Sequence, residues 1–487
     1  MCTYLPAEKL FVLVIFLWRK HWKKKVIPLS YKKNLWSKIM LNNKINKDVA
    51  AIAHYRSEYL RVEKNLAGNT LTPLQDLRLA ALEEFSRTGF PSKKQEDWKY
   101  TSLTALGETP FSFQPVLSQL NNATQTRLEQ LATSYRLVFI NGLFAKHLST
   151  LAILPHHGMM THFAGMLEHH PEQLFAHWQP KDTIEKNSFV HLNTAFMHDG
   201  AYIYLPANTQ LQSPIELLFI QTGEQEQFIP LRNIIIAEEN SHAIIVEKYI
   251  PAQKNSAQYF TSTVTECTLA PHSHVQHYKY ISEGEKALHI GNLSATQQKN
   301  SQFAAYSLAL SAALIRSDVH IKLLQPDAQC QLKGLYYATE QQQIDHHTVV
   351  DHASPHTRSE AFYKGVSDAK ARAVFNGKVI VRSQAIKSKA QQLNKNLLLS
   401  SHAEINSKPQ LEIFTDDIQC THGTSIAQLD KEALFYLQTR GLTAVQAGEV
   451  LILAFIQDIL QQMPLFNDEV SLAQHLKNKW VNADVFV

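Results

Sequence analysis

The sequence predicts a mainly β protein, a β-solenoid flanked by N-terminal and C-terminal helical domains. Three observations point there. From about residue 200, short β-prone runs such as "YIYLP", "IELLFI", "RNIIIAE", "AIIVEKYI" and "HVQHYKYI" follow one another, each bounded by Asn, Ser, Pro or Gly, and the helical period is lost for over 200 residues. Several runs begin alike: "ENSHAIIVEKY", "APHSHVQHYKY", "KNSQFAAYSLA" and "QPDAQCQLKGLY" each set a polar or Pro turn before alternating side chains. Their second residues fall at 240, 271, 300 and 326, at intervals of 31, 29 and 26. Loose periods of about 20 to 50 residues mark stacked units that cannot bury an inner face alone. Thirdly, helical patterns are confined to the segments before and after this region. On pattern alone a large β-sandwich, which also carries many short strands, stays open.

In chain order, residues 1–47 form a basic, apolar extension. They carry 11 Lys+Arg against one acid, and the other 440 residues carry 36 against 42. The net charge of +4 therefore hides a mildly acidic body. Nucleic acid is an unsuitable main partner for it, because such binding needs clustered cations. The run "LFVLVIFLW" at 10–18 falls short of the about 20 apolar residues of a bilayer span. Its charge follows the apolar stretch, and no small-residue cleavage site comes after it. The expectation is a dispensable extension ahead of a true start at Met40, with an interfacial anchor as the rival.

Residues 48–199 should form an N-terminal helical domain with some strands. Apolar positions recur at three and four over 48–88 and stop at Gly89. "GFPSKKQEDWKYTSL" at 89–103 breaks that pattern and sets Trp98 and Tyr100 among charges, as a loop with an aromatic anchor would. Residues 200–429 are the β-solenoid core. Residues 430–487 return to helix: Asp430 can cap "KEALFYLQTR", Gly441 can close it, and Thr443 with Gln446 reads as a capping box for the apolar helix that follows. That last helix is apolar over much of its circumference, so it must pack on its own solenoid or on another protein.

Cysteines at 2, 267, 330 and 420 form no CxxC pair and no dense framework, which fits a reducing compartment and excludes a self-contained zinc finger or disulfide scaffold. In "DDIQCTHGTSI" at 416–426, Cys420 and His422 lie two apart, so a strand would present sulfur and imidazole on one face. Two ligands do not make a metal site, since zinc and iron-sulfur centres take about three or four. Either the pair borrows ligands from a second chain, or Cys420 is a small buried hydrophobe and His422 a turn residue. "DHHTVVDHASPHTRS" at 345–359 holds His346, His347, His352 and His356, but opposite strand parities and Pro355 argue for hydrogen-bonded or solvated histidines, not a metal centre. Cys267 and Cys330 sit in strand-like runs that suit core packing. No phosphate loop, dinucleotide fingerprint or nucleophile elbow is present, so any nucleotide hydrolysis belongs to another subunit. No stripe of acids or Arg marks the groove of a polysaccharide hydrolase or lyase.

Three stretches carry a family likeness: "GFPSKKQEDWKYTSL", "FYKGVSDAKARAVFNGKVIVRSQAIKSKAQQLNKNLLLS" at 362–400, and "PQLEIFTDDIQCTHGTSIAQLDKEALFYLQTRGL" at 409–442. Together they resemble the SufB/SufD family of the SUF iron-sulfur cluster assembly scaffold, and "WKYT" places the likeness on the SufD side. It runs from about residue 50 to the end and is densest over 345–442. The resemblance implies a right-handed parallel β-helix that pairs with a SufB-like paralogue, and a C-terminal helical domain that docks a SufC-like ATPase. It also implies a cytoplasmic, non-enzymatic scaffold without nucleic acid or membrane partners, a nascent iron-sulfur cluster as transient cargo, and a reduced flavin within the complex. On this likeness His422 maps onto a cluster ligand, with Cys420 as its companion, completed by a SufB cysteine. A purely structural partner that contributes no ligand is the alternative. The extension before residue 40 departs from the family pattern.

Overall fold

In a computed structural model the described residues are 47–114, 119–122, 124–126, 133–178, 187–253 and 257–466. The extension over residues 1–46 and the 467–487 part of the C-terminal helical domain lie outside them.

Sixteen strands run from Ala201–Leu205 to Ile418–Gln428. They alternate between two sheets, so that consecutive strands lie on opposite walls and each pairs in parallel with the strand two places on. This is a β-solenoid of about eight turns, and the parallel pairing excludes the sandwich. One strand of each wall makes a turn, which is why the period is close to thirty residues.

The repeat is written in its corners. Left-handed backbone recurs at Asn208, Asn240, His272, Asn300, Asp327, His356 and Lys387. Each of these residues donates its N–H to a carbonyl of the next turn: Asn240 to Pro271 at 3.1 Å, His272 to Lys299 at 2.9 Å, Asn300 to Pro326 at 3.1 Å, and Asp327 to Pro355 at 3.4 Å. Asn, Asp and His tolerate this conformation better than other side-chain-bearing residues, and the ladder leaves no corner N–H unpaired. The sequence markers 240, 271, 300 and 326 thus fall on a corner or one residue from it.

Inside, side chains at alternate positions meet across the two walls. Phe139, Phe219 and Tyr249 stack at 4.9 and 4.7 Å along one column. Three turns further, Tyr336 lies over Gly365 and Tyr363 over Gly334, in a reciprocal exchange between neighbouring strands. The interior also holds charge. Glu247 accepts hydrogen bonds from Thr265 at 2.7 Å and Tyr249 at 3.0 Å, and lies 3.0 Å from His277. Burial pushes its carboxyl up, but His277, Lys279 and Thr265 outweigh that and hold it down at about 2. The Lys279 ammonium fills the space a Cβ on Gly291 would take.

The two ends of the solenoid differ. At the N-terminal end Ala201–Leu205 pairs with Met159–His162, and Ile215–Gln221 pairs with Tyr135–Ile140. Helices Thr72–Thr88 and Ser188–Phe196, with Tyr55, Phe85, Phe90 and Trp98, then cover the outer face of one wall through Phe228 and Phe260. Strand Phe228–Ala237 is therefore buried on both faces, with Arg232 and Asn233 buried among its apolar residues. At the C-terminal end the last strand of each wall, Glu404–Ile413 and Ile418–Gln428, is paired on one edge only, and nothing among the described residues pairs with its outer edge.

Helix Lys431–Thr439 is capped by Asp430, and helix Ala444–Leu460 opens with the expected Thr443–Gln446 capping box. The second helix lies on its own solenoid: Ile452, Ile456 and Ile459 pack with Tyr278, Tyr306, Leu335 and Phe362. Lys364 fastens it, reaching the Phe455 carbonyl and the Asp458 carboxylate, both at 2.5 Å. No described helix is long and apolar enough to cross a membrane.

Candidate functional site

The open turn is where the sequence pair sits. Ile418–Gln428 pairs with Ser388–Leu398 in a register that sets Cys420 beside Ala390, His422 beside Gln392 and Thr424 beside Asn394. Ala390, Gln392 and Asn394 are buried. Cys420, His422 and Thr424 therefore continue the inner face of the solenoid onto a turn that no further turn covers among the described residues. Cys420 is half-buried against Val379, Val381, Ala385 and Ala390, whereas His422 is exposed. Burial pushes the Cys420 thiol up, opposed by a backbone hydrogen bond at Ala390, so it is a thiol at neutral pH. Iron must displace that proton to bind.

Strand parity thus brings the two residues together as expected. Among the described residues no three His, Cys, Asp or Glu side chains are grouped to hold a metal ion.

The other flagged residues have structural roles. His346 is buried, 3.2 Å from the Ser307 hydroxyl and stacked on Tyr336. His352 meets the Thr357 and Ser359 hydroxyls, each at 2.8 Å. Burial drives both imidazoles down to about 4 and keeps them neutral. His347, on the opposite face, lies 2.9 Å from the Asp345 carboxylate, and His356 occupies a left-handed corner. Cys267 and Cys330 are core residues, and burial pushes the Cys330 thiol up to about 12. Cys267, Cys330 and Cys420 form no disulfide with one another.

Comparison with known proteins converges on one family. A sequence profile described as "SUF system FeS cluster assembly, SufBD core domain" matches residues 219–455, and one for the "SufBD protein N-terminal region" matches 50–217. An iron-sulfur cluster assembly SufBD family protein of Synechocystis is 32% identical over 422 residues, 85% of this chain and 93% of the relative. The chain belongs to the SufBD family. SufD of Escherichia coli is 26% identical over 385 residues, covering 78% of this chain and 87% of that one. The chloroplastic protein ABCI7 of Arabidopsis thaliana is 26% identical over 424 residues, covering 84% and 86%. This SufBD protein is an iron-sulfur cluster assembly component of SufD type.

Two features of the SufBD site escaped the sequence reading. Ser407, on the other wall, accepts a hydrogen bond from Thr424 at 2.8 Å and donates one to Asn394 at 2.7 Å, tying the two terminal strands together. Ile413, Phe414 and Ile426 are exposed apolar residues of the same open turn. Alternation along each strand could have flagged Ile426, but the openness of the turn depends on which strand comes last.

Proposed function

We propose that this chain is a non-catalytic scaffold subunit of a cytoplasmic SUF-type complex. It pairs with a SufB-like paralogue through its terminal solenoid turn and docks a SufC-like ATPase through its C-terminal helices. His422, with Cys420 as companion, contributes to holding a nascent iron-sulfur cluster as cargo, and the paralogue supplies the missing ligands.

The observation that carries this reading is the side-by-side placement of Cys420 and His422 on the inner face of the last turn, whose outer strand edge no described residue pairs. Thiolate and neutral imidazole both bind iron, and two such donors need partners from outside the chain. Unpaired strand edges are templates for strands of another polypeptide, and Ile413, Phe414 and Ile426 add apolar surface there. On helix Lys431–Thr439, Phe435 and Tyr436 are 68% and 56% exposed, a docking face separate from the seam. The iron-sulfur assembly role of the relatives named above agrees with this division of labour.

His422→Ala tests the reading. Complex formation should persist while cluster yield on the reconstituted complex falls about tenfold or more, since even outer-shell losses at metal sites cost that much. Unchanged yield would leave only a structural partnership.

A further inference from the structure

The loop Gln95–Ser102 crosses the outer face of the wall that ends at Glu404–Ile413, and it is fixed at both ends. Trp98 lies under the Arg316 guanidinium at 4.1 Å, and Arg316 also donates to the Asp97 carbonyl at 2.8 Å and to Asp345 at 2.6 Å. The Thr101 hydroxyl donates to the same Asp345 carboxylate, and the Tyr100 carbonyl accepts from Gln343 at 2.6 Å. That anchor is buried and sits on strands Leu314–Leu323 and Gln343–His352. Glu96 then reaches past strand Arg372–Val381 to form an ion pair with Lys408 on the terminal strand. Next to Lys408, Ser407 faces inward and bonds to Thr424, two residues beyond His422 on the same face.

We propose that this loop is a strap that tethers the open turn to the N-terminal domain. Its buried end is the fixed point, and the Glu96–Lys408 pair is the hold on a terminal strand that has only one strand neighbour. Through Ser407 the strap limits fraying of both terminal strands while the partner edge is empty. Its consequence, that His422 is kept in place for cargo, rests on the ligand reading above; the tether itself does not.

Hydrogen–deuterium exchange on the full chain without partners tests it. Glu96 and Lys408 are surface residues, so Lys408→Ala and Glu96→Ala should fold as the parent does. Exchange at Glu404–Ile413 and Ile418–Gln428 should accelerate about two- to fivefold, the range an exposed ion pair commands. Ser388–Leu398, paired on both edges, should be unaffected. The exchanged pair, Glu96→Lys with Lys408→Glu, should restore parental rates. Unchanged exchange at the terminal strands in both single variants would overturn the tether. The ligand reading is decided separately by cluster yield in His422→Ala, a variant that leaves the strap intact.

Discussion

Replacing Gly365 by alanine tests the interleaved interior most sharply. A Cβ there would lie 2.1 and 2.4 Å from Cε2 and Cζ of Tyr336 and 2.6 Å from Asn396 Oδ1, all well inside contact distance. The tyrosine cannot swing away freely, because its hydroxyl donates to Asn396 at 2.6 Å and its ring is packed against His346. Overpacking of this kind costs about 1–3 kcal/mol, and losing the hydroxyl bond adds about 1 kcal/mol. Gly365→Ala should therefore destabilise the chain by about 3 kcal/mol. Tyr336→Ala removes a buried ring and should cost about 3–5 kcal/mol on its own. In the double variant the new methyl enters the vacated space, so the combined loss should fall short of the sum by about 1–3 kcal/mol. Urea denaturation of the full chain, followed by circular dichroism, gives all three values. Additive losses, or a neutral Gly365→Ala, would refute the reciprocal packing.

In the folded chain, iodoacetamide should modify Cys420 and spare the buried Cys267 and Cys330. The Cys420 rate should rise about tenfold per pH unit and continue past the ordinary thiol range, and a plateau below about pH 8.5 would contradict the burial argument. A raised thiol pKa also stabilises the fold below the ordinary thiol value, a contribution lost as pH climbs through the raised one. Thr443→Ala and Asp430→Ala should each cost about 1 kcal/mol, read from thermal unfolding of the C-terminal helices, since each removes a side-chain cap. Phe435→Ala with Tyr436→Ala should leave the circular dichroism of the free chain unchanged and weaken ATPase binding by about 2 kcal/mol in titration calorimetry. Undiminished binding would move the docking face elsewhere.

Much of the architecture was legible because solenoids repeat. The corner residues at 240, 272, 300 and 327 are Asn, His, Asn and Asp, types that mark a turn before any strand is assigned. Caps were legible for the same local reason: Asp430 and Thr443 act on backbone within three residues. The face shared by Cys420 and His422 followed from strand parity. Long-range polar pairing was not legible. Parity with Val275 and Ile281 in "HVQHYKYIS" turns Lys279 inward, but nothing near it in sequence announces the Glu247 and Thr263 that meet it inside the solenoid. Trp98 and Arg316, 218 positions apart, likewise meet only once the loop and the wall are both in place.

The central claim is that this chain supplies an imidazole to a cluster that another chain completes. It is tested most directly by labelling histidine isotopically in this chain alone, assembling it with an unlabelled paralogue and ATPase, reconstituting with iron and sulfide, and recording hyperfine spectra of the reduced cluster. A labelled-nitrogen coupling that disappears in His422→Ala is the predicted result. A fully formed cluster with no such coupling, or one whose coupling survives the substitution, would contradict the account.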